Sequence, residues 1–206
     1  MSTAPRLMER VGAADARLLA IASDHVRRFG ARRLTIVGVA EEAGMTHANV
    51  YRYFASKEAL LDAVAGAALK PIEMLLSDIA SAPDPVDDKL ERMVLALARA
   101  YRDLFESDRA VFDLFVDAVE GNRGVARRHR GRVRTLVARV LDEGIAVGTF
   151  EPRDREAALA LLIDTFHRYT HPSSIRLDGA QPRGPREQRL SNLVRVAVRG
   201  LTSGTI

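Results

Sequence analysis

Cysteine is missing from this chain altogether, and with it disulfides, thiolate metal sites and cysteine nucleophiles. Such a composition suits a reducing compartment. No apolar run approaches the roughly 20 residues that cross a bilayer, and the most apolar stretch, Leu60 to Leu69, is interrupted by Asp62. The first twenty residues carry Arg6, Glu9, Arg10, Asp15 and Arg17 without a continuous apolar segment, so no signal peptide is readable. No stretch sustains β-alternation, and no internal repeat is visible. Glycine-rich phosphate loops, HExxH and a Ser/His/Asp constellation are absent too; His167 and His171 have the spacing of HExxH without its glutamate. The expectation is a cytoplasmic protein that is not an enzyme.

What is present is ordinary in amount and uneven in place. The chain has 206 residues, 47% hydrophobic and 28% charged, enough for one or two compact domains with a sizeable core. From Met1 to Lys57 nine basic side chains face five acidic ones, a surplus equal to the +4 of the whole chain. A basic N-terminal module on a neutral body suits a polyanionic partner for the first part only.

Helical spacing accounts for nearly all of the chain. In Asp15 to Phe29, Leu18, Leu19, Ala22, Val26 and Phe29 recur at that spacing, and Gly30 follows as a stop. Thr35 offers an N-cap to a short helix that ends at Gly44, and Thr46 caps another to about Phe54. Ser56 opens a fourth. Two loops follow, Ser81 to Asp88 and Asp178 to Glu187. Long amphipathic segments cover Lys89 to Glu106, Arg109 to Glu120, Gly124 to Val147, Arg153 to Thr170 and Arg189 to Leu201. The fold class is therefore all-α: a three-helix N-terminal unit over 1–57 and a larger helical bundle over 58–206.

Residues Ile36 to Tyr53 have the register of a helix-turn-helix. Ala40 is small where the helices cross, Gly44 makes the turn, and Val39, Ala43, Met45 and Val50 form the apolar wedge. Thr46, His47, Asn49, Arg52 and Tyr53 remain for the outer face of the second helix, which suits a DNA major groove. Asn49 has the two hydrogen-bonding groups that read adenine. Thr46 and His47 can donate to base or phosphate. Tyr51 and Tyr53 can reach phosphates through their hydroxyls. Lys57 and Thr35 lie in or beside first turns, where free N–H groups attract phosphate.

The stretch "FGARRLTIVGVAEEAGMTHANVYRYFASKEALL", above all "VYRYFASKEAL", resembles the DNA-binding domain of TetR-family transcriptional regulators. The resemblance covers about a quarter of the chain, from about Leu18 to Leu69. It implies a homodimer on a palindromic, double-stranded DNA operator, usually a repressor released by a small ligand. It implies phosphate contacts at Thr35, Tyr51, Tyr53 and Lys57, and base contacts at Thr46, His47 and Asn49. The family often has Lys or Arg where this chain has His47, which would make affinity sensitive to pH.

By the same resemblance the C-terminal half would hold an effector pocket and pair subunits through its last two long helices. Leu159, Leu162, Ile163 and Phe166 form a stripe on the first of these. Tyr101, Phe105, Phe112, Phe115, Phe166 and Tyr169 are the pocket candidates. Asp113 and Asp117, with His129, His167 and His171, form a candidate divalent-metal set of nitrogen and oxygen ligands. A metal effector, a constitutive architectural DNA-binding protein and a small helical enzyme are the alternatives. The basic run Arg123 to Arg134 reads as a solvated helix face paired with acids elsewhere.

Overall fold

A computed structural model describes residues 4–206, with side chains described from residue 14. Among the described residues the elements are ten helices: α1 (Ala4–Phe29), α2 (Ile36–Ala43), α3 (His47–Tyr51), α4 (Lys57–Ser81), α5 (Val86–Ser107), α6 (Arg109–Glu120), α7 (Gly124–Ala146), α8 (Arg155–Thr170), α9 (Pro172–Leu177) and α10 (Arg183–Thr202). The all-α reading holds. Several limits move. α1 begins eleven residues before Asp15. α4 continues through Pro71, whose missing N–H weakens the helix without ending it. α10 opens six residues before Arg189, because Pro185 falls in its first turn, where a missing N–H is harmless. α9 was not legible: Pro172 at its first position reads as a break, yet it also opens a short helix.

The chain forms two compact units, Met1–Ala68 with Asp108–Val125, and Leu69–Ser107 with Ala126–Ile206. The division does not fall at 57/58. Residues 1–3 of the expected first domain lie outside the described residues. In the first unit, Leu18, Ala22 and Val26 of α1, Val39 of α2, Val50 of α3 and Leu60 of α4 are buried together with Val111, Phe112 and Phe115 of α6. Each large apolar side chain fully buried contributes about 1.5–3 kcal/mol. α1 packs on α2 and α6, and α2 on α3. Arg27 Nε donates to Asp108 Oδ2 at 2.7 Å, and Asp108 also caps α6 by accepting from the Val111 N–H. Arg123 pairs with Asp62. The sequence carried no signal for α6 joining α1 to α3, since these contacts span sixty-one to eighty-one positions.

In the second unit α5 packs on α8, α9 and α10. Leu90, Met93, Leu136, Leu141, Phe150 and Val194 are fully or almost fully buried. Lys89, itself buried, places its ammonium 2.6 Å from Glu143. Asp178, after α9, receives Arg168 and Arg186 and accepts from Gln181, closing the loop that leads to α10. The Arg186 hydrogen bond holds its carboxyl below the usual carboxylate range. Leu159, Leu162 and Phe166 are buried within this unit.

Candidate nucleic-acid interface

The turn between α2 and α3 is set by one residue. Gly44 has φ 64° and ψ 34°, a left-handed conformation open to glycine at no steric cost. Its N–H donates to the Glu41 carbonyl at 3.0 Å, and Met45 N–H donates to Ala40 at 2.9 Å. This crossed pair satisfies two carbonyls at the end of α2. Thr35 Oγ1 accepts from Gly38 N–H at 3.0 Å and Thr46 Oγ1 from Asn49 N–H at 3.3 Å, so both helices begin on a threonine cap.

Val50 is fully buried and orients α3, while Thr46, His47, Asn49, Tyr51 and Arg52 are exposed around it. Ala40 and Ala43 are buried with Val39, and Met45 is half-buried. Regular α3 stops at Tyr51 rather than at about Phe54. Tyr53 and Phe54 N–H groups both turn back to the Val50 carbonyl, which ends the helix by crowding one acceptor. Tyr53 and Phe54 are partly covered, and Tyr51 is 50% exposed, leaving its ring and hydroxyl open to a partner.

Lys57 Nζ donates to the Arg32 carbonyl at 2.9 Å. Ser56 Oγ accepts from Ala59 N–H at 3.1 Å, and a hydrogen bond from Glu58's own backbone N–H, with the Ser56 hydroxyl adding, lowers the Glu58 carboxyl below its usual range. α2 is held against α1 by a cluster that sequence reading missed. His25 Nε2 donates to Glu42 Oε2 at 2.6 Å, and Arg28 reaches the same carboxylate at 3.2 Å. The His25 hydrogen bond, with Arg28 adding, keeps Glu42 ionised below the ordinary carboxylate range. Arg28 also pairs with Asp24 at 2.5 Å, so one guanidinium serves both acids. A half-buried histidine in α1 was the one signal that could have revealed it. Arg32, Arg33 and Arg52 remain exposed.

The other expected sites fare differently. Among the described residues no group of three or more His, Cys, Asp or Glu converges to hold a metal ion. His129 is occupied by Glu73 and Tyr101, Asp113 accepts from Arg109 through both oxygens, and Asp117 is exposed. His167 and His171 stack ring on ring, 4.4 Å apart, with His171 in extended backbone beyond α8. Of the six expected pocket aromatics, Phe112 and Phe115 are core of the first unit, and Tyr101, Phe105 and Phe166 are buried in the second. Tyr169 lines a small cleft of about 40 Å³ with Leu95, Ala98, Arg99, Arg102, Ile175, Arg183, Arg186, Glu187 and Leu190. The arginines there are already committed: Arg99 to Glu187, Arg183 to Asp103 and Glu106, Arg186 to Asp178, and Arg102 to Glu106 and to the carbonyls of Gly179 and Gln181.

Residues 18–64 match the family described as bacterial regulatory proteins, tetR family. Residues 86–188, half of the chain, match the tetracyclin repressor-like C-terminal domain. No curated protein sequence matches. A TetR/AcrR-family transcriptional regulator from Thermobifida fusca is similar in structure, with TM-score 0.65 at 19% identity over 90% of this chain and 97% of that one. The regulator FadR from Bacillus subtilis, solved with stearoyl-CoA, gives TM-score 0.61 at 15% identity over 92% and 98%. RolR, solved with resorcinol, gives 0.63 at 20% over 95% and 96%. At these identities the likeness is one of fold.

Proposed function

The chain belongs to the TetR family of bacterial transcriptional regulators, and on that premise we propose that it is a homodimeric repressor released from a palindromic operator by a small organic effector. Members of this family bind DNA and act as regulators, not as enzymes. The observation that carries the reading is the surface of α3, where a fully buried Val50 anchors a helix whose Thr46, His47, Asn49, Tyr51 and Arg52 all face solvent. A short helix so exposed, and capped at its N-terminus, fits the major groove.

Asn49 then reads an adenine, with Thr46 and His47 beside it at base edges. Thr35, Tyr51, Arg52, Tyr53 and Lys57 contact phosphates. Support for pairing through α8 and α10 comes from their exposed apolar residues, Leu161, Leu193 and Val196. A two-fold dimer presents two α3 helices to half-sites about one DNA turn apart. The second unit carries the effector site, and the ligands named for FadR and RolR support a small molecule as its occupant. No described helix is long and apolar enough to cross a membrane, which accords with a cytoplasmic location.

The test is a fluorescence-anisotropy titration against DNA from the protein's own promoter region at two salt concentrations. Tight, sequence-selective and salt-sensitive binding is expected, lowered by a small molecule found in a subsequent screen. Binding that ignores sequence, or no binding, would overturn the repressor reading.

A further inference from the structure

The outer face of α7 is left over by that reading. Between Glu120 and Asp142 the sequence holds seven arginines and no acidic residue. From Ala126 onward the helix belongs to the second unit. Arg127, Arg128, Arg130, Arg132, Arg134 and Arg139 are exposed, while His129, Val133, Leu136, Val137 and Val140 are buried. Six guanidinium groups therefore share one side of the helix.

Acids elsewhere were expected to cover this face, and they leave part of it open. Arg134 reaches Glu156 at 3.4 Å, and Arg139 donates to the Ser81 hydroxyl at 3.2 Å. An open groove of about 470 Å³ runs alongside, lined by Arg134, Thr135, Arg139 and Arg155 among others. There Arg155 is held by Asp142 through two 2.8 Å hydrogen bonds and by Glu156. Arg128 and Arg132, one helical turn apart, have no carboxylate within salt-bridge distance among the described residues. Gly131 stands between them on the solvent side, and a Cβ there would meet nothing within 4 Å. Neither packing nor backbone conformation calls for glycine at that point of a helix, and its absence of side chain leaves the backbone open to a close partner.

The composition of the face selects the partner. No exposed large apolar residue lies on the described α7. A membrane-surface helix needs an apolar flank to insert, and a protein partner needs aromatic or aliphatic anchors. Single-stranded nucleic acid takes aromatic stacking platforms, and none is exposed here. Interfaces with duplex DNA are polar and strongly positive, and guanidinium groups pair with phosphate through two hydrogen bonds. We propose that the arginine face of α7 binds the phosphate backbone of duplex DNA without reading its sequence, as a contact additional to the one made by α3.

The test uses the full chain and a duplex of scrambled sequence, titrated over a series of salt concentrations. Each phosphate neutralised contributes roughly 0.9 to the slope of log K against log salt. The double variant R128A/R132A should therefore bind with a slope shallower by about 2. G131E, which places a negative charge on the same face in open space, should weaken binding at low salt. Both variants should keep the parent's circular dichroism and melting temperature. Asn49→Ala should leave the scrambled-duplex slope alone and change only preference among operator sequences, so failure of the α3 reading is separable from failure of this one. Unchanged slope and affinity in both folded variants would overturn the proposal. So would α7-dependent binding of phosphatidylserine vesicles with DNA binding unaltered, which would make the surface a membrane contact.

Discussion

Lys57 Nζ donates to the Arg32 carbonyl at 2.9 Å, so the first residue of α4 braces the turn that joins α1 to α2. A lysine ammonium has three donors, and two remain for a phosphate. Lys57→Ala should weaken every DNA sequence alike and reduce the salt slope by roughly 0.9. It should also cost about 1 kcal/mol of stability through the lost hydrogen bond. Anisotropy over a salt series, beside denaturant unfolding, separates the two effects.

Asn49 spends its backbone N–H on the Thr46 cap and keeps its side chain exposed. Asn49→Ala should lose discrimination at a single base pair of the operator, at roughly 1–3 kcal/mol, with the fold intact. Equal binding of the operator and its base-substituted versions by variant and parent would remove Asn49 from base readout.

Gly44 occupies the left-handed region with nothing within 4 Å of an added Cβ. The cost of Gly44→Ala is thus conformational rather than steric, about 1–2 kcal/mol. Gly44→Asn should cost less, since asparagine tolerates that region. Thermal unfolding of the three proteins gives the ranking, and an alanine variant as stable as the parent would refute it.

His129 is buried in the second unit, with Nδ1 donating to Glu73 at 2.8 Å and Nε2 accepting from the Tyr101 hydroxyl at 2.6 Å. Burial pushes its pKa below the ordinary 6.5 against the opposing pull of Glu73, and burial also raises the Tyr101 phenol. The unfolded chain then binds a proton at this position more readily than the folded one. Stability should fall as pH drops below 6.5 and level off once the pH is under the folded value. Denaturant midpoints between about pH 5 and 8 should show this decline in the parent, and His129→Gln should flatten it. A decline of equal size in the variant would place the titration elsewhere.

Local chemistry made the helix-turn-helix of this protein readable. Threonine caps, a glycine turn and a wedge of small apolar residues act over three to five positions, so Thr35, Gly44, Thr46 and Val50 are legible without any long-range knowledge. The same holds for α6, whose predicted limits match the structure. The candidate metal set failed for the opposite reason. Spacing at i, i+4 places His167 and His171 together, but it is silent on whether Asp113, Asp117 and His129 come to meet them, and each of the three has its own surroundings. Of the pocket aromatics five are buried and Tyr169 lines a cleft, a division that helical spacing does not encode, because an aromatic at that spacing serves core and cavity equally.

By itself the sequence determined the helix class, the turn between α2 and α3 and the family, since period, caps and glycine conformation are properties of neighbouring residues. Only the tertiary structure decided which charges are spent. Arg27 goes to Asp108, Arg28 and His25 go to Glu42, and Lys57 goes to a carbonyl, while Arg128 and Arg132 of α7 meet no carboxylate among the described residues. Pairing of this kind joins positions up to eighty-eight apart, as in Arg99 with Glu187, and the interaction between two charges depends on their distance and burial in the folded chain, neither of which a local pattern encodes.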